Sequence, residues 1–338
     1  MAQGNTVSQW QRMTEQAARV LRVHPEPSVL VDDVSVHAAL TADPAGYLRF
    51  LEEHLRDVAT GHVRVDTPAQ SICADGPGLG GFRVMPCVTH HAGGTTKTVT
   101  IGGTNVTGSV VPDQVAVGRT LCLHPEDNTV THIYDSCLLS AARAGACAAI
   151  ALSQLAFGNA SISIVGSGRV GLYAALFATA GVGVRQIVFH DERKDRAEAI
   201  ALWGNDTLGI PCDAAGVHKI EPCDAVILAT TSTTPLLAPG DVATPLVISM
   251  GADTEDHREL HASWTTNADV YVDSMEAVRV GDLRAWIRNG RITPADLRDL
   301  TTLLREGPRH GRNHPRVFVS SGASLLDNLT VAYMQNGA

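Results

Sequence analysis

Apolar residues recur with helical spacing over residues 44–60 (PAGYLRFLEEHLRDVAT), where Tyr47, Leu48, Leu51 and Leu55 share one face and Gly61 supplies a stop. Over 63–135 the pattern changes to short β-branched runs between turns: VRV, GFRVMP, KTVTIGG, GRTLCLH and NTVTHIY. The segment HPEDNT at 124–129 reads as a hairpin turn. This predicts an α+β unit of mostly antiparallel strands. From Ser136 onward helix and strand alternate, with strands expected at 161–165, 186–190, 225–229, 246–250 and 270–272. That alternation implies a parallel sheet covered by helices on both faces. After Val280 the chain is helical again, and its last strand-like run is Val317-Phe318-Val319. The C-terminal part is expected to return to the first unit; the alternative is that it caps the parallel sheet. The fold class is thus α/β. A Rossmann-type doubly wound parallel sheet is expected over 136–304, and a second α+β domain, for substrate binding and dimerisation, over 1–135 with 305–338.

Composition narrows the partners. The chain has 338 residues, 44% of them hydrophobic, and a net charge of −9. Its basic residues are scattered, so neither nucleic acid nor an anionic membrane is an expected partner. The first twenty residues are polar and lack the apolar stretch of an export signal. The greasiest stretch, 144–156, is rich in Ala and Gly and reads as a tightly packed buried helix rather than a membrane span. Seven cysteines without a CxxC spacing suggest reduced thiols in the cytoplasm. His310 and His314 have helical ligand spacing but sit beside Gly311 and Pro315, and His90-His91 is a loop pair with no third ligand nearby, so no metal is expected.

The chemistry begins at Gly166-Ser167-Gly168-Arg169-Val170-Gly171. An apolar strand precedes this hexamer, a helix follows it, and Asp191 ends the next strand twenty residues after Gly171. In a dinucleotide-binding turn Gly166 permits the tight turn, Gly168 lets a pyrophosphate approach the backbone, and Gly171 lets helix and strand pack closely. The helix N-terminus offers free N–H groups to the phosphates, and Arg169 adds a charge. Asp191 is placed to accept from the adenosine ribose hydroxyls and to repel a 2′-phosphate, which favours NAD over NADP. Arg193, Lys194 and Arg196 close behind it temper that preference, and Arg193 is itself a candidate cofactor contact. Thr230, Thr231 and Ser232 follow a strand and are candidate cofactor contacts or simply turn residues.

These segments, together with Val84-Met85-Pro86, Lys97-Thr98-Val99-Thr100, Leu139 to Ala146, Ala229 to Pro235, Gly251-Ala252-Asp253 with Glu259-Leu260, and Gly311-Arg312, Ser321-Gly322 and Asp327, resemble the ornithine cyclodeaminase/mu-crystallin family from about Val29 to Tyr333. The resemblance implies hydride transfer between NAD(P) and the α-carbon of an amino acid through an imine. It implies that Arg143 and Lys97 hold the substrate carboxylate, with Met85 beside it, that Lys97 also serves the chemistry, and that Asp253 is the general base. Other readings stay open: Arg143 as a structural ion pair, Lys97 as a solvated edge charge, and Asp253 as a helix N-cap. It also implies a homodimer, whose interface would cover the open strand edges of the first unit.

The sequence departs from the family pattern in places. An Arg that many relatives carry upstream of the "MP" pair is replaced by Gln70-Ser71-Ile72, leaving Arg64 or Arg83 as substitutes, and the usual Pro-Gly-Lys after Asp253 reads Glu255-Asp256-His257. Gly171 and Ser140 are similar to the N-(2-amino-2-carboxyethyl)-glutamate dehydrogenases of 2,3-diaminopropionate biosynthesis. The expected function is therefore an NAD(H)-dependent amino-acid or opine-type dehydrogenase. The alternatives are an ornithine or lysine cyclodeaminase, a ketimine reductase, or a non-catalytic NAD(P)H-dependent binding protein like mu-crystallin.

Overall fold

The structure, a computed structural model, describes residues 16–17, 19–22, 27–76, 80–105, 116–156, 158–217, 220–251, 254, 256–311 and 314–336. Most of the polar N-terminal segment lies outside them. The first sheet is built from β1 (Val29–Val31), β2 (Arg64–Asp66), β3 (Ser71–Gly76), β4 (Gly80–His91), β5 (Gly94–Asn105), β6 (Ala116–Leu123) and β7 (Val130–Asp135), with α1 (Asp33–Thr41) and α2 (Pro44–Thr60) inserted after β1. Its strand order is β1-β7-β6-β5-β4-β2, with β3 also pairing β4. All its pairs are antiparallel except β1 with β7. The expected hairpin turn closes through the His124 N–H, which donates to the Thr129 carbonyl at 2.8 Å.

Helix α2 follows its sequence signature residue for residue. Asp43 caps it through the Gly46 N–H, Pro44 opens it, the expected four residues are buried, and Gly61 ends it at φ +80°. The Ala/Gly-rich stretch lies in α3 (Ser136–Leu155). This helix is long and apolar enough to cross a bilayer by composition, yet it is largely buried inside the protein, packed along α4 (Arg169–Val182).

The second sheet takes β8 (Ala160–Val165), β9 (Val184–His190), β10 (Cys212–Ala215), β11 (Ala225–Leu228), β12 (Leu246–Ser249), β13 (Asp269–Val272), β14 (Arg298–Asp299) and β15 (Arg316–Val319). The order is β10-β9-β8-β11-β12-β15-β13-β14 and every pair is parallel. The connecting helices include α5 (Lys194–Thr207), α6 (Gly281–Arg288) and α7 (Leu300–Glu306). The strand order reverses between β8 and β11, so a crevice opens there at the carboxyl ends of the strands.

One expectation is corrected. The run Val317-Phe318-Val319 does not return to the first unit; it is a central strand, inserted between β12 and β13. All four residues of β15, Arg316–Val319, are buried, as a strand covered on both faces requires. The last helix, α8 (Ser324–Asn336), does cross back, packing on β4 and β5, and α7 packs on α2 of the first unit. There Asn328 accepts from Thr89 Oγ1 at 2.8 Å and donates to the Cys87 carbonyl at 3.2 Å.

Candidate active site

A cavity of about 1310 Å³ occupies that crevice. It is lined by the turn 166–170, by Asp191 and Arg193 after β9 and Thr230, Thr231 and Ser232 after β11, which flank that turn, by Ser140, Arg143, Ser321 and Gly322, and by Thr104 from the first sheet.

The turn is tight and leaves the helix after it uncapped. Gly166 has φ +101°, and a Cβ there would collide with the Ala229 carbonyl; a Cβ on Gly171 would collide with the carbonyl of Gly166. At Gly168 a Cβ would meet nothing within 4 Å, so this glycine leaves open space toward the cavity instead of relieving a protein contact. No side chain caps α4, and the buried Ser167 hydroxyl has no hydrogen-bond partner among the described residues. Uncapped N–H groups and an orphaned hydroxyl are what a dinucleotide pyrophosphate would satisfy, so these residues fit such a group.

Asp191 stands at the end of β9. Its two carboxylate oxygens accept from the Ser167 N–H at 2.8 Å and the Arg193 N–H at 2.9 Å. These bonds fix the carboxylate beside the turn, and each oxygen keeps a lone pair for a ribose hydroxyl. The Arg193 guanidinium meets Asp195 at 3.0 Å. Thr230 lines the cavity, but its hydroxyl donates to Glu259 Oε1 at 2.8 Å and accepts from the Ser232 N–H at 3.2 Å. The Ser232 hydroxyl likewise donates to the Thr234 carbonyl at 2.7 Å. Both hydroxyls therefore shape the wall.

Arg143 projects from α3 and is 7% exposed. Its Nε donates to Asp327 Oδ1 at 2.8 Å and its Nη2 to Ser140 Oγ at 3.1 Å, while Nη1 has no partner among the described residues. It passes over Gly322 (φ +93°), where a Cβ would lie 2.9 Å from Nη2. Burial works against its charge, but Asp327 and Asp273 outweigh that and raise its pKa. The ion-pair reading and the cavity reading of Arg143 are thus compatible: Asp327 aims a guanidinium whose free edge remains at the cavity. Asp273 also holds the facing loop, accepting from Ser320 Oγ at 2.7 Å and the Gly322 N–H at 2.8 Å.

Other sequence candidates are not brought to the cavity. Lys97 sits at the far end of β5 from Thr104, seven residues and so about 23 Å away along the strand. Its ammonium donates to the Pro125 carbonyl and to Asn128 Oδ1 in the hairpin turn. Met85 is buried on β4 and is not part of the cavity wall. Of the two substitutes for the missing Arg, Arg64 pairs with the exposed Asp66 at 3.2 Å. Arg83 instead donates to the carbonyl of cavity-lining Ser321 at 3.0 Å, and Gln70 donates to the Gly322 carbonyl at 3.2 Å. Asp253, with Ala252, Glu255 and Arg312, lies outside the described residues; its neighbours Gly251 and His257 both line the cavity. His257 Nδ1 hydrogen-bonds the Gly251 carbonyl at 2.7 Å.

Sequence reasoning also missed a hub. Glu259 is fully buried and accepts four hydrogen bonds: from Thr230 N–H and Oγ1 (both 2.8 Å), Ser249 Oγ (2.6 Å) and Gly251 N–H (2.9 Å). It thereby ties the ends of β11 and β12 together beneath the cavity. The only signal for it was its place in the Glu-Leu pair.

Behind it, Asp282 accepts from the Glu259 and Leu260 N–H groups at 3.0 and 3.3 Å. Burial, then the charge of Glu259, raise its pKa from 3.8 to about 6, against those two hydrogen bonds. The folded carboxyl thus keeps its proton longer than the unfolded one. Its contribution is fully present below about pH 4 and is lost as pH rises through about 6. Asp282→Asn removes that dependence. Between pH 4 and pH 7 the variant should gain on the parent by about 3 kcal/mol in denaturant unfolding. A difference that stays constant over this interval would exclude the titration.

The family model of the ornithine cyclodeaminase/mu-crystallin family matches residues 28–336. The chain belongs to this family. Solved structures agree in fold. The Δ1-pyrroline-2-carboxylate reductase of Thermococcus litoralis, in complex with NADH and L-proline, has a TM-score of 0.80 at 19% identity, covering 92% of this chain and 97% of that one. An archaeal alanine dehydrogenase dimer with bound NAD has a TM-score of 0.79 at 19% identity over 92% and 96%. The iminosuccinate reductase of Paracoccus denitrificans, in complex with NAD+, has a TM-score of 0.75 at 19% identity over 91% and 95%. No curated protein sequence matches. Gln70 and Arg83 contact the 321–322 loop, which lines the cavity.

Proposed function

We propose that this protein is an NAD(H)-dependent oxidoreductase acting on the C–N bond at the α-carbon of an amino acid. The observation that carries this reading is one cavity joining an uncapped phosphate turn and Asp191 to the aimed edge of a buried guanidinium. When bound, the nicotinamide supplies a hydride acceptor or donor. The protein's own residues do the rest. The turn 166–171 and Ser167 hold the pyrophosphate, and Asp191 the adenosine ribose. Arg143 takes the substrate carboxylate and fixes Cα–H toward the ring, while Arg83 stands in for the upstream Arg of relatives. Asp253 takes the proton of the substrate amine or of the water that attacks the imine. The altered residues around Asp253 favour a substrate other than ornithine, and an imine that is hydrolysed so that reduced cofactor is released.

The outer face of the first sheet carries exposed Phe82 and Ile101, which supports a homodimer through that face. Seven unpaired cysteines fit a reducing compartment such as the cytoplasm.

The test is a panel of amino acids, secondary amino acids and cyclic imines with NAD(H) and NADP(H). It is followed by nicotinamide absorbance and mass spectrometry, with light scattering on the same sample. Net NADH formation or consumption with NAD preferred, from a dimer, is the expected result. Turnover of ornithine to proline without net NADH would assign the cyclodeaminase subtype. Cofactor binding with no turnover across the panel would favour the binding-protein alternative.

A further inference from the structure

At the opposite end of the parallel sheet from the cavity, Asp269 opens β13 in register with Arg316, which opens β15. The cavity loop begins only after Val319, so the two places are separated by a strand length of about 13 Å. Asp269 is 6% exposed, and its ion partners among the described residues are two histidines. His310 Nδ1 lies 2.9 and 2.8 Å from its two oxygens, and His314 Nε2 lies 3.8 Å from Oδ1. The two imidazole centroids are 4.4 Å apart.

A divalent ion binds neutral imidazoles together with a charged carboxylate, and that donor set is assembled here. One ligand atom from each residue lies within 4.8 Å of the others. Tetrahedral zinc sets its ligand atoms about 3.3 Å apart, so small side-chain rotations suffice.

The backbone is already arranged for it. The Arg316 guanidinium holds the His310 and Gly311 carbonyls, both at 2.8 Å, and the Asp269 N–H donates to the Pro315 carbonyl at 3.0 Å. The sequence offered two histidines at helical ligand spacing beside Gly311 and Pro315 and no metal was expected there; Asp269 is 41 residues from His310 and is delivered by the β13–β15 pairing.

We propose that Asp269, His310 and His314 form a structural site for a borderline divalent transition metal of the zinc class, clamping the turn before β15 onto β13. Two imidazoles and one carboxylate suit that class, and the exposed side of His310 leaves the fourth position to water.

The test uses chelator-stripped full-length protein titrated with zinc chloride, read by calorimetry and thermal unfolding. The parent is compared with His310→Ala and with the His310→Ala/His314→Ala double variant. The parent should take up one more equivalent per chain than the double variant, with a zinc-dependent rise in Tm that the double variant lacks. Cobalt(II) should give the visible bands of a low-coordinate site in the parent alone, and NADH affinity should be equal in all three. If the double variant folds poorly, His310→Ala decides, because it removes only the exposed ligand. Zinc uptake and Tm shift that survive loss of the histidines would assign the metal to the thiols and overturn the proposal, as would no uptake by the parent. Neither result touches the cavity reading, because cofactor binding is measured separately.

Discussion

Replacement of Arg143 by lysine is expected to lower kcat/KM by about a hundredfold or more while NADH affinity stays near the parent value. Lysine keeps a positive charge near Asp327 but loses the planar fork. In the parent one edge of that fork is spent on Asp327 and Ser140, and Nη1 remains for a carboxylate. An ammonium cannot serve Asp327 and a substrate with the same fixed geometry, so the alignment of Cα–H is lost. Alanine is the harsher change. Asp327 is 1% exposed and its Oδ2 already has no hydrogen-bond partner among the described residues. Stranding that carboxylate should cost about 3–5 kcal/mol of stability as well as activity. Steady-state kinetics on the best panel substrate, with NADH fluorescence titration alongside, checks the lysine variant. Parent-level kcat/KM in Arg143→Lys would remove this residue from substrate binding and leave it a structural ion pair.

Glu259→Gln is the second large effect, and it acts through position rather than contact. The carboxylate receives two backbone N–H groups, from Thr230 and Gly251, on different oxygens. A glutamine has one acceptor oxygen, so whichever way its amide turns, an N–H faces an NH2. The hydroxyls of Thr230 and Ser249 can rotate to accept, but a backbone N–H cannot. Leaving it unsatisfied in a fully buried place should cost about 1–3 kcal/mol, and Glu259→Ala, which orphans all four donors and opens a void, several times that. For a chain of this size Glu259→Gln should lower Tm by several degrees. Because Thr230 and Gly251 line the cavity, NADH should also bind about tenfold more weakly. Differential scanning calorimetry and the same fluorescence titration read both. A Glu259→Gln protein with parent Tm and parent NADH affinity would mean that the strand ends are held by other means.

Helix α2 and the central strands were readable because their signal is local. Burial of Tyr47, Leu48, Leu51 and Leu55 follows from a spacing contained within nine residues, and a buried parallel strand is a short apolar run. The strands β1 and β10 carried no such signal. Both are short and stand at sheet edges: β1 is an apolar run of three residues, too brief to set a period, and β10 exposes Asp213 and Ala214, so hydrophobicity does not mark it. Lys97 was placed by its position in a motif, yet its outlet is a turn contributed by the β6–β7 hairpin. A motif fixes distance along the chain, not which end of a strand faces the crevice.

From the sequence alone came the family, the alternation of strand and helix, the glycine turn 166–171 and the acid at the end of the following strand. All of these are encoded within short stretches, where backbone geometry and hydrophobic period follow from neighbouring residues. The tertiary structure alone decided that β15 enters the middle of the parallel sheet, that Asp327 aims Arg143 across 184 residues, and that Glu259 joins two strand ends. It likewise decided that Asp269 meets two histidines. Apart from the strand placement, each of these pairs a buried carboxylate with a partner on another segment. Burial makes such pairing obligatory, but the partner is chosen by which strands lie side by side, and that is settled only when the whole sheet has formed.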